Sequence, residues 1–119
     1  MPRKVPTRGE IWIADLGDGK RHWCVIVSLD SRNRSERSST VLLVPFSSSG
    51  WEGPTTLRFD PGESGLPAGS YLKCHYITTL NKSQLIERVG RPLSARRMRE
   101  VTLAIRRSFD PDAPWEPTT

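Results

Sequence analysis

A lysine and a histidine two residues apart, Lys73 and His75, are candidates for chemistry within residues 69–80. This run is rich in aromatic and β-branched residues and has turn-forming residues on both sides, which predicts one long β-strand. Because side chains alternate between the faces of a strand, Lys73 and His75 are expected about 7 Å apart on one face. Leu72 and Cys74 are expected in the core on the other face. The pair, a cation beside an imidazole, is therefore a candidate centre of the chemistry.

The composition indicates one cytoplasmic domain. A chain of 119 residues fits a single domain, with a globular core over residues 6–109 and a frayed tail over 110–119. Its 18 Lys and Arg residues against 13 Asp and Glu give a net charge of +5, which favours nucleic acid or an acidic polypeptide as partner. Cys24 and Cys74 lie in apolar runs without metal-ligand spacing, so we expect reduced core thiols and no metal site. No apolar run reaches membrane-spanning length.

Short strands dominate the pattern along the chain. Strands are predicted at 8–15, 22–28, 40–46, 55–59, 69–80 and 84–91, with a tight turn at 17–20 and a mobile loop at 31–39. The nearly continuous apolar centre of 22–28 is typical of a strand covered on both faces. Residues 94–109 change to helical period, with Ser94 as N-cap and the arginines expected on the solvated outer face. The prediction is a twisted antiparallel sheet or partly closed barrel with a C-terminal helix.

Four segments carry a resemblance to a known family. Residues 8–12 (RGEIW), 44–48 (VPFSS), 72–82 (LKCHYITTLNK) and 89–94 (VGRPLS) resemble, in order, motifs of the MazF/PemK family of toxin endoribonucleases. The match runs from about residue 6 to 109. The resemblance implies an SH3-like barrel of the PemK type and a homodimer. It also implies cofactor-free, metal-independent cleavage of single-stranded RNA, and neutralisation by an acidic, partly disordered antitoxin.

The chain also departs from the family pattern. Residues 16–21 form a short hairpin that lacks the family's GxEQ and RPV elements, so the family arginine corresponds to either Arg21 or His22. Ser47 stands where relatives have threonine, and His75 stands where they have aspartate. These changes leave open a catalytically silent homologue that binds antitoxin or RNA, and a gyrase-directed toxin on the related fold. The motifs at 44–49 and 73–75 fit the ribonuclease better than the gyrase-directed toxin.

RNA cleavage by attack of its own 2′-hydroxyl needs a base, an acid for the leaving 5′-oxygen, and cations that stabilise the phosphorane. We expect Arg21, Ser47 and His75 to be catalytic. Arg21 offers a planar fork for two phosphate oxygens. Ser47 can hold a non-bridging oxygen or orient the nucleophile, although a serine here also fits an ordinary strand end. His75 can act as base or acid because imidazole exchanges protons near neutral pH.

Four further residues are expected to bind the RNA: Lys20, His22, Trp51 and Lys73. Lys73 supplies a point charge, and Trp51 can stack on an unpaired base. His22 can serve as a second proton carrier. The alternative for residues 20–22 is a solvated hairpin tip. A hairpin over residues 11–28 would bring this cluster toward the end of the third strand.

Overall fold

The computed structural model describes residues 5–115, and these form seven strands, two α-helices and two single 3₁₀ turns. The strands are β1 (Ile11–Asp15), β2 (Arg21–Ile26), β3 (Thr40–Ser47), β4 (Thr56–Phe59), β5 (Ser70–Lys73), β6 (Thr78–Asn81) and β7 (Leu85–Val89). The helices are α1 (Asp30–Arg34) and α2 (Ala95–Arg107), and the 3₁₀ turns are Glu63–Gly65 and Lys82–Gln84.

The strands form an antiparallel sheet in the order β4-β5-β3-β2-β1-β7, with β6 paired to the first half of β3. β3 pairs with three strands along its length, because Thr40 to Leu43 pair with β6, Leu43 to Pro45 pair with β2, and Phe46 and Ser47 pair with β5. Pro45 has no N–H to donate and stands at this change of partner. Within residues 5–115, the edge strands β4 and β7 do not pair with each other, so the sheet is open. The predicted mainly antiparallel fold with a C-terminal helix is confirmed.

Both faces of the sheet are covered by apolar side chains. One cluster, which includes Val25 and Leu72, packs beneath α2, while the other, which includes Cys24 and Leu43, fills the opposite face. Cys24, Val25 and Ile26 of β2 have no solvent exposure, which confirms that β2 is central. Each fully buried aliphatic side chain of this kind stabilises the fold by about 1.5–3 kcal/mol.

Helix α2 follows the predicted pattern. Ser94 accepts a hydrogen bond from the backbone N–H of Arg97 and so caps the first turn. Met98, Val101 and Ala104 form the buried stripe. After the helix, residues 110–115 fold back on it, and the Arg107 side chain donates to the Pro114 carbonyl at 2.7 Å. The rest of the tail predicted to fray, residues 116–119, lies outside the described residues.

The prediction of one uninterrupted strand over residues 69–80 is wrong. The chain forms β5 and β6 with a turn between them, and the eight-residue β3 is the longest strand in residues 5–115. Pairing with the β4 side continues as far as Cys74, whose N–H donates to the Thr55 carbonyl, and the turn is then closed by the Tyr76 N–H, which donates to the Lys73 carbonyl. Leu72 and Cys74 are buried as expected, but the alternation stops there, and Tyr76 is 58% exposed.

The prediction of a loop with nothing to bury at 31–39 is wrong for residues 31–34, whereas residues 35–39 form a turn and loop outside any helix or strand. Residues 30–34 form α1, and the side chain of Asn33 is completely buried. Its amide donates to the Ser28 carbonyl at 3.1 Å, and its oxygen accepts from the Ser28 hydroxyl at 2.5 Å. A buried polar side chain with its hydrogen bonds satisfied thus anchors a segment that has no apolar pattern.

Both cysteines are free and buried, as predicted. Burial raises the pKa of the Cys24 thiol and of the Cys74 thiol to about 12. The helices formed by residues 5–115 are all too short or too polar to cross a bilayer.

Candidate functional site

The sheet brings three of the predicted site residues to one cavity. Arg21, His22 and Ser47 line a cavity of about 220 Å³ at the end of β2 and β3, hereafter the hairpin cavity. The cause is the strand register, because Cys24 pairs with Pro45 and the same register continued outward sets His22 beside Ser47. The expectation that a hairpin would bring Arg21 toward Ser47 agrees with this arrangement.

Residues 66–70 complete the hairpin cavity on its other side. This wall follows the 3₁₀ turn Glu63–Gly65, which is tied to α2 by the bidentate ion pair of Glu63 with Arg97. It is also fixed by a close backbone contact, since a Cβ on Gly65 would lie 2.9 Å from the Cα of Gly90. No pattern in the sequence predicted this wall, because its residues are turn-forming and carry no charge.

The cationic side chain that lines the hairpin cavity is free to bind an anion. Arg21 is exposed, and no acceptor within residues 5–115 takes a hydrogen bond from its guanidinium. The hydroxyl of Ser47 donates to the Ser49 carbonyl at 3.0 Å and accepts from the Ser49 N–H at 3.3 Å. Ser47 therefore closes a small turn, and a phosphate oxygen bound by its hydroxyl would replace the bond to the carbonyl.

His22 is held by a residue that the sequence did not single out, Asp18. His22 Nε2 lies 2.7 Å from Asp18 Oδ2, and Lys20 N–H donates to Asp18 Oδ1 at 3.0 Å. The hydrogen bond from the Lys20 backbone holds the pKa of the Asp18 carboxyl below its ordinary value, and the contact with His22 lowers it by a smaller amount. The turn needs left-handed backbone, which Gly17 and Gly19 supply with φ of 94° and 74°. The only sequence signal for this pair was its four-residue spacing across a recognised turn.

A second group lies on the neighbouring strands and is called the outer patch: Tyr71, Lys73, Arg58 and Trp51. Ser47 and Arg58 are the cross-strand partners of Tyr71, so the three side chains share one face. Lys73 lies two residues further along that face. The Arg58 guanidinium is 5.9 Å from the centre of the Tyr71 ring.

The loop that carries Trp51 packs on this outer patch. A Cβ on Gly50 would lie 3.1 Å from Lys73 Cε and 3.4 Å from Tyr71 Cγ, so the loop backbone covers both side chains closely. The next residue, Trp51, is 83% exposed. An exposed indole beside cations is suited to stacking on a nucleic-acid base. Sequence reasoning found Lys73 and Trp51 and missed Tyr71 and Arg58.

His75 lies apart from both groups. It is in the turn after β5, exposed, with Nδ1 at 2.8 Å from the Thr55 hydroxyl and its ring centre 4.6 Å from that of Tyr76. It is not among the residues that line the hairpin cavity. The prediction that His75 shares a strand face with Lys73 is wrong, because the strand ends at Lys73. A catalytic role for His75 stays a prediction.

Lys20 stands at the exposed tip of the hairpin, next to Arg21. Residues 5–115 contain no cluster of three or more His, Cys, Asp or Glu side chains that could hold a metal ion. The hairpin cavity thus offers a guanidinium, an imidazole held by a carboxylate, and a hydroxyl. These groups can bind an anionic phosphate and transfer protons beside it.

Comparison with known proteins finds similar proteins over most of the chain. Residues 7–109 match the family model described as PemK-like, MazF-like toxin of type II toxin–antitoxin system. The endoribonuclease MazF2 of Mycobacterium bovis is 34% identical over 119 residues, which covers 89% of this chain and 98% of that protein. The endoribonuclease MazF1 of the same organism is 31% identical over 86 residues, covering 72% of this chain and 76% of the relative.

Among solved structures, a similar one is an endoribonuclease in complex with its cognate antitoxin from a mycobacterial species. It superposes with a TM-score of 0.75 at 27% identity and covers 93% of this chain and 99% of that chain. The correspondence therefore extends over nearly the whole of both chains.

Proposed function

Because this chain belongs to the family of PemK-like, MazF-like toxins of type II toxin–antitoxin systems, we propose that it is an endoribonuclease that cuts single-stranded RNA at the hairpin cavity. The observation that carries the proposal is the meeting of Arg21, His22 and Ser47 at one cavity. The relatives named above are endoribonucleases, and one structural neighbour is bound to an antitoxin.

The proposed reaction is an attack of the 2′-hydroxyl on the adjacent phosphorus, which leaves a 2′,3′-cyclic phosphate and a free 5′-hydroxyl. Arg21 binds two oxygens of the phosphate and stabilises the charge that develops on the phosphorane. Ser47 donates a hydrogen bond to one of these non-bridging oxygens or orients the 2′-hydroxyl. His22 and His75 are the available proton carriers. Because protein groups can supply both the cations and the proton transfer, the proposed reaction needs no metal ion.

The outer patch supports single-stranded RNA as substrate. Base stacking on aromatic side chains stabilises unpaired RNA by about 1–3 kcal/mol per base. Trp51 and Tyr71 are aromatic side chains in this patch, and Arg58, Lys73 and, at the hairpin, Lys20 can contact phosphates. We place the activity in the cytoplasm, where such RNA is found.

The test is incubation of the purified protein with a long unstructured RNA in EDTA, followed by mapping of the cut ends. Discrete cuts with 2′,3′-cyclic phosphate are expected, and a 2′-deoxy nucleotide at a mapped site should block cutting there. Arg21→Ala should lower kcat/KM about 10²-fold or more, as for loss of one transition-state donor. Arg34→Ala, an exposed arginine of α1, is the matched control and should cut like the unmodified protein. Intact RNA would refute the proposal.

A catalytically silent homologue is the second candidate, and one observation favours it: the Ser47 hydroxyl is already bonded to Ser49. Such a protein would bind the RNA at micromolar concentration in a gel-shift assay and leave it whole. A gyrase-directed toxin would inhibit DNA supercoiling by gyrase. The same purified protein can be assayed for that inhibition.

The partners implied are an acidic antitoxin and a second copy of this chain. The net charge of +5 supports binding of an acidic segment. The acidic product of an adjacent reading frame should suppress cleavage, and suppression should weaken with salt. The homodimer is tested by light scattering on the purified protein, where a monomeric mass would exclude it.

A further inference from the structure

The Asp18 carboxylate determines which nitrogen of His22 is available for chemistry. An ionised carboxylate only accepts hydrogen bonds, so the 2.7 Å contact requires His22 Nε2 to carry the proton and donate it. In the neutral ring, Nδ1 is then the nitrogen with a free lone pair. No group within residues 5–115 takes a hydrogen bond from Nδ1 or gives one to it.

Asp18 can hold the imidazole because its carboxylate is itself held. The backbone N–H of Lys20 fixes Oδ1, and Oδ2 is left for the ring. The ring is only 28% exposed although it belongs to a hairpin near the surface. A histidine oriented through one nitrogen by a carboxylate, with the other nitrogen free, is the arrangement that sets the tautomer of catalytic and metal-binding histidines.

We infer that Asp18 and His22 act as a pair at the hairpin cavity, in which Asp18 positions His22 so that Nδ1 accepts the proton of the attacking 2′-hydroxyl. The inference rests on the proposed function. His22 is the catalytic residue of the pair and Asp18 is a positioning residue. His22 thus takes the role of general base, for which the sequence had suggested His75.

The O2′–P bond forms while the 2′-hydroxyl proton moves to His22 Nδ1, which makes an imidazolium. As the P–O5′ bond breaks, the leaving oxygen takes a proton from a water molecule. The Asp18 carboxylate stabilises the imidazolium until the His22 ring returns its proton to solvent. Arg21 stabilises the negative charge of the phosphorane throughout.

Two geometrical facts favour His22 over His75. His22 lines the same cavity as Arg21 and Ser47, whereas His75 does not. The Nδ1 of His75 is occupied by the Thr55 hydroxyl, and no carboxylate of residues 5–115 lies within ion-pair distance of its ring.

The kinetic test compares His22→Gln, Asp18→Asn and His75→Gln on a short fluorescent RNA that contains one mapped cleavage site. His22→Gln should lower kcat by about 10²–10⁴-fold while KM changes less than threefold, as for loss of a general base. Asp18→Asn should lower kcat by a smaller factor, and Asp18→Glu should restore part of it. Asp112→Asn makes the same chemical change at an exposed site in the tail and should match the unmodified protein. Circular dichroism checks that each variant is folded.

A second measurement does not depend on activity. Two-bond proton–nitrogen correlation spectra at pH 8 should show His22 protonated at Nε2 and unprotonated at Nδ1, and Asp18→Asn should mix the two tautomers. A resting Nδ1–H tautomer in the unmodified protein would overturn the positioning role.

The outcomes separate the two proposals. If the unmodified protein leaves RNA intact, the proposed function fails, and the assignment of a base fails with it. If it cuts RNA and His22→Gln retains kcat within threefold, only the present inference is overturned. Loss of kcat in His75→Gln with retention in His22→Gln would assign the base to His75.

Discussion

Removing the Arg97 guanidinium should destabilise the fold far more than removing any exposed arginine of the same helix. The Arg97 side chain is 17% exposed and donates two hydrogen bonds to Glu63, at 2.6 and 2.9 Å. It also donates to Glu100 at 3.0 Å and to the Arg58 carbonyl at 2.7 Å, and lies 4.1 Å from the centre of the Phe59 ring. The prediction that the helix arginines only solvate its outer face is thus wrong for this one.

The magnitude follows from these contacts. Breaking a buried pair costs about 3–5 kcal/mol, whereas an exposed pair contributes about 0–1 kcal/mol. Glu63 is 29% exposed, so water can solvate it once the guanidinium is gone, and the cost lies between the two limits. We therefore expect Arg97→Ala to lower the free energy of unfolding by about 2–3 kcal/mol, or the melting temperature by about 8–12 °C for a domain of this size.

The assay is urea unfolding followed by tryptophan fluorescence. Arg99→Ala is the matched control, because Arg99 is exposed on the same helix and the change removes the same charge. It should change the free energy of unfolding by less than about 0.5 kcal/mol. Equal stability of the two variants would refute the reasoning. Because Glu63 precedes the wall of the hairpin cavity, Arg97→Ala should also lower kcat/KM more than Arg99→Ala does.

Three further predictions concern the pH dependence of stability, a glycine that has no room for a side chain, and the reactivity of the thiols. Hydrogen bonds from its guanidinium partner hold the pKa of Glu63 below its ordinary value of 4.5, so its contribution to stability is present above that pH and is lost as pH falls through the folded pKa. Urea titrations from pH 7 to pH 3 should show this loss of stability in the unmodified protein and a smaller loss in Arg97→Ala. Gly90→Ala should cost at least about 2 kcal/mol, because φ there is 62° and the new Cβ would collide with the Ser64 carbonyl; an unchanged midpoint in urea would contradict this. Cys24 and Cys74 should resist iodoacetamide at pH 8 until urea unfolds the chain, since burial raises both thiol pKa values to about 12; rapid labelling of the native protein, seen by mass spectrometry, would exclude it.

Sequence reasoning succeeded where local pattern and tertiary structure agree. The apolar centre of β2 predicted a strand covered on both faces, and Cys24 to Ile26 are completely buried. The 3.6-residue period and the Ser94 cap predicted α2. The short β1–β2 hairpin that the turn residues predicted is present, and the register of β2 against β3, in which Cys24 pairs with Pro45, brings Arg21 toward Ser47.

Sequence reasoning failed where individual hydrogen bonds and contacts override propensity. Residues 74–79 are good strand formers, yet the bond from the Tyr76 N–H to the Lys73 carbonyl closes a turn that takes His75 out of the line of the strand. Asn33 is buried without any apolar neighbour in sequence to indicate it. The wall at 66–70 depends on a glycine contact and an ion pair between segments far apart in the chain. None of these has a periodic signal.

The hairpin tip is held almost entirely by itself. Gly17 N–H bonds the Asp15 carboxylate and Lys20 N–H bonds that of Asp18, while the strand behind the tip is buried at Cys24. A tip of this kind can be exchanged or lengthened with little effect on folding, since doubling a loop costs only about 0.6 kcal/mol. Of the departures from the family motif, the missing GxEQ and RPV elements belong to this tip, whereas Ser47 lies at the end of β3 and His75 in the turn after β5. The groups that the tip carries can therefore be exchanged with little effect on the sheet that supports them.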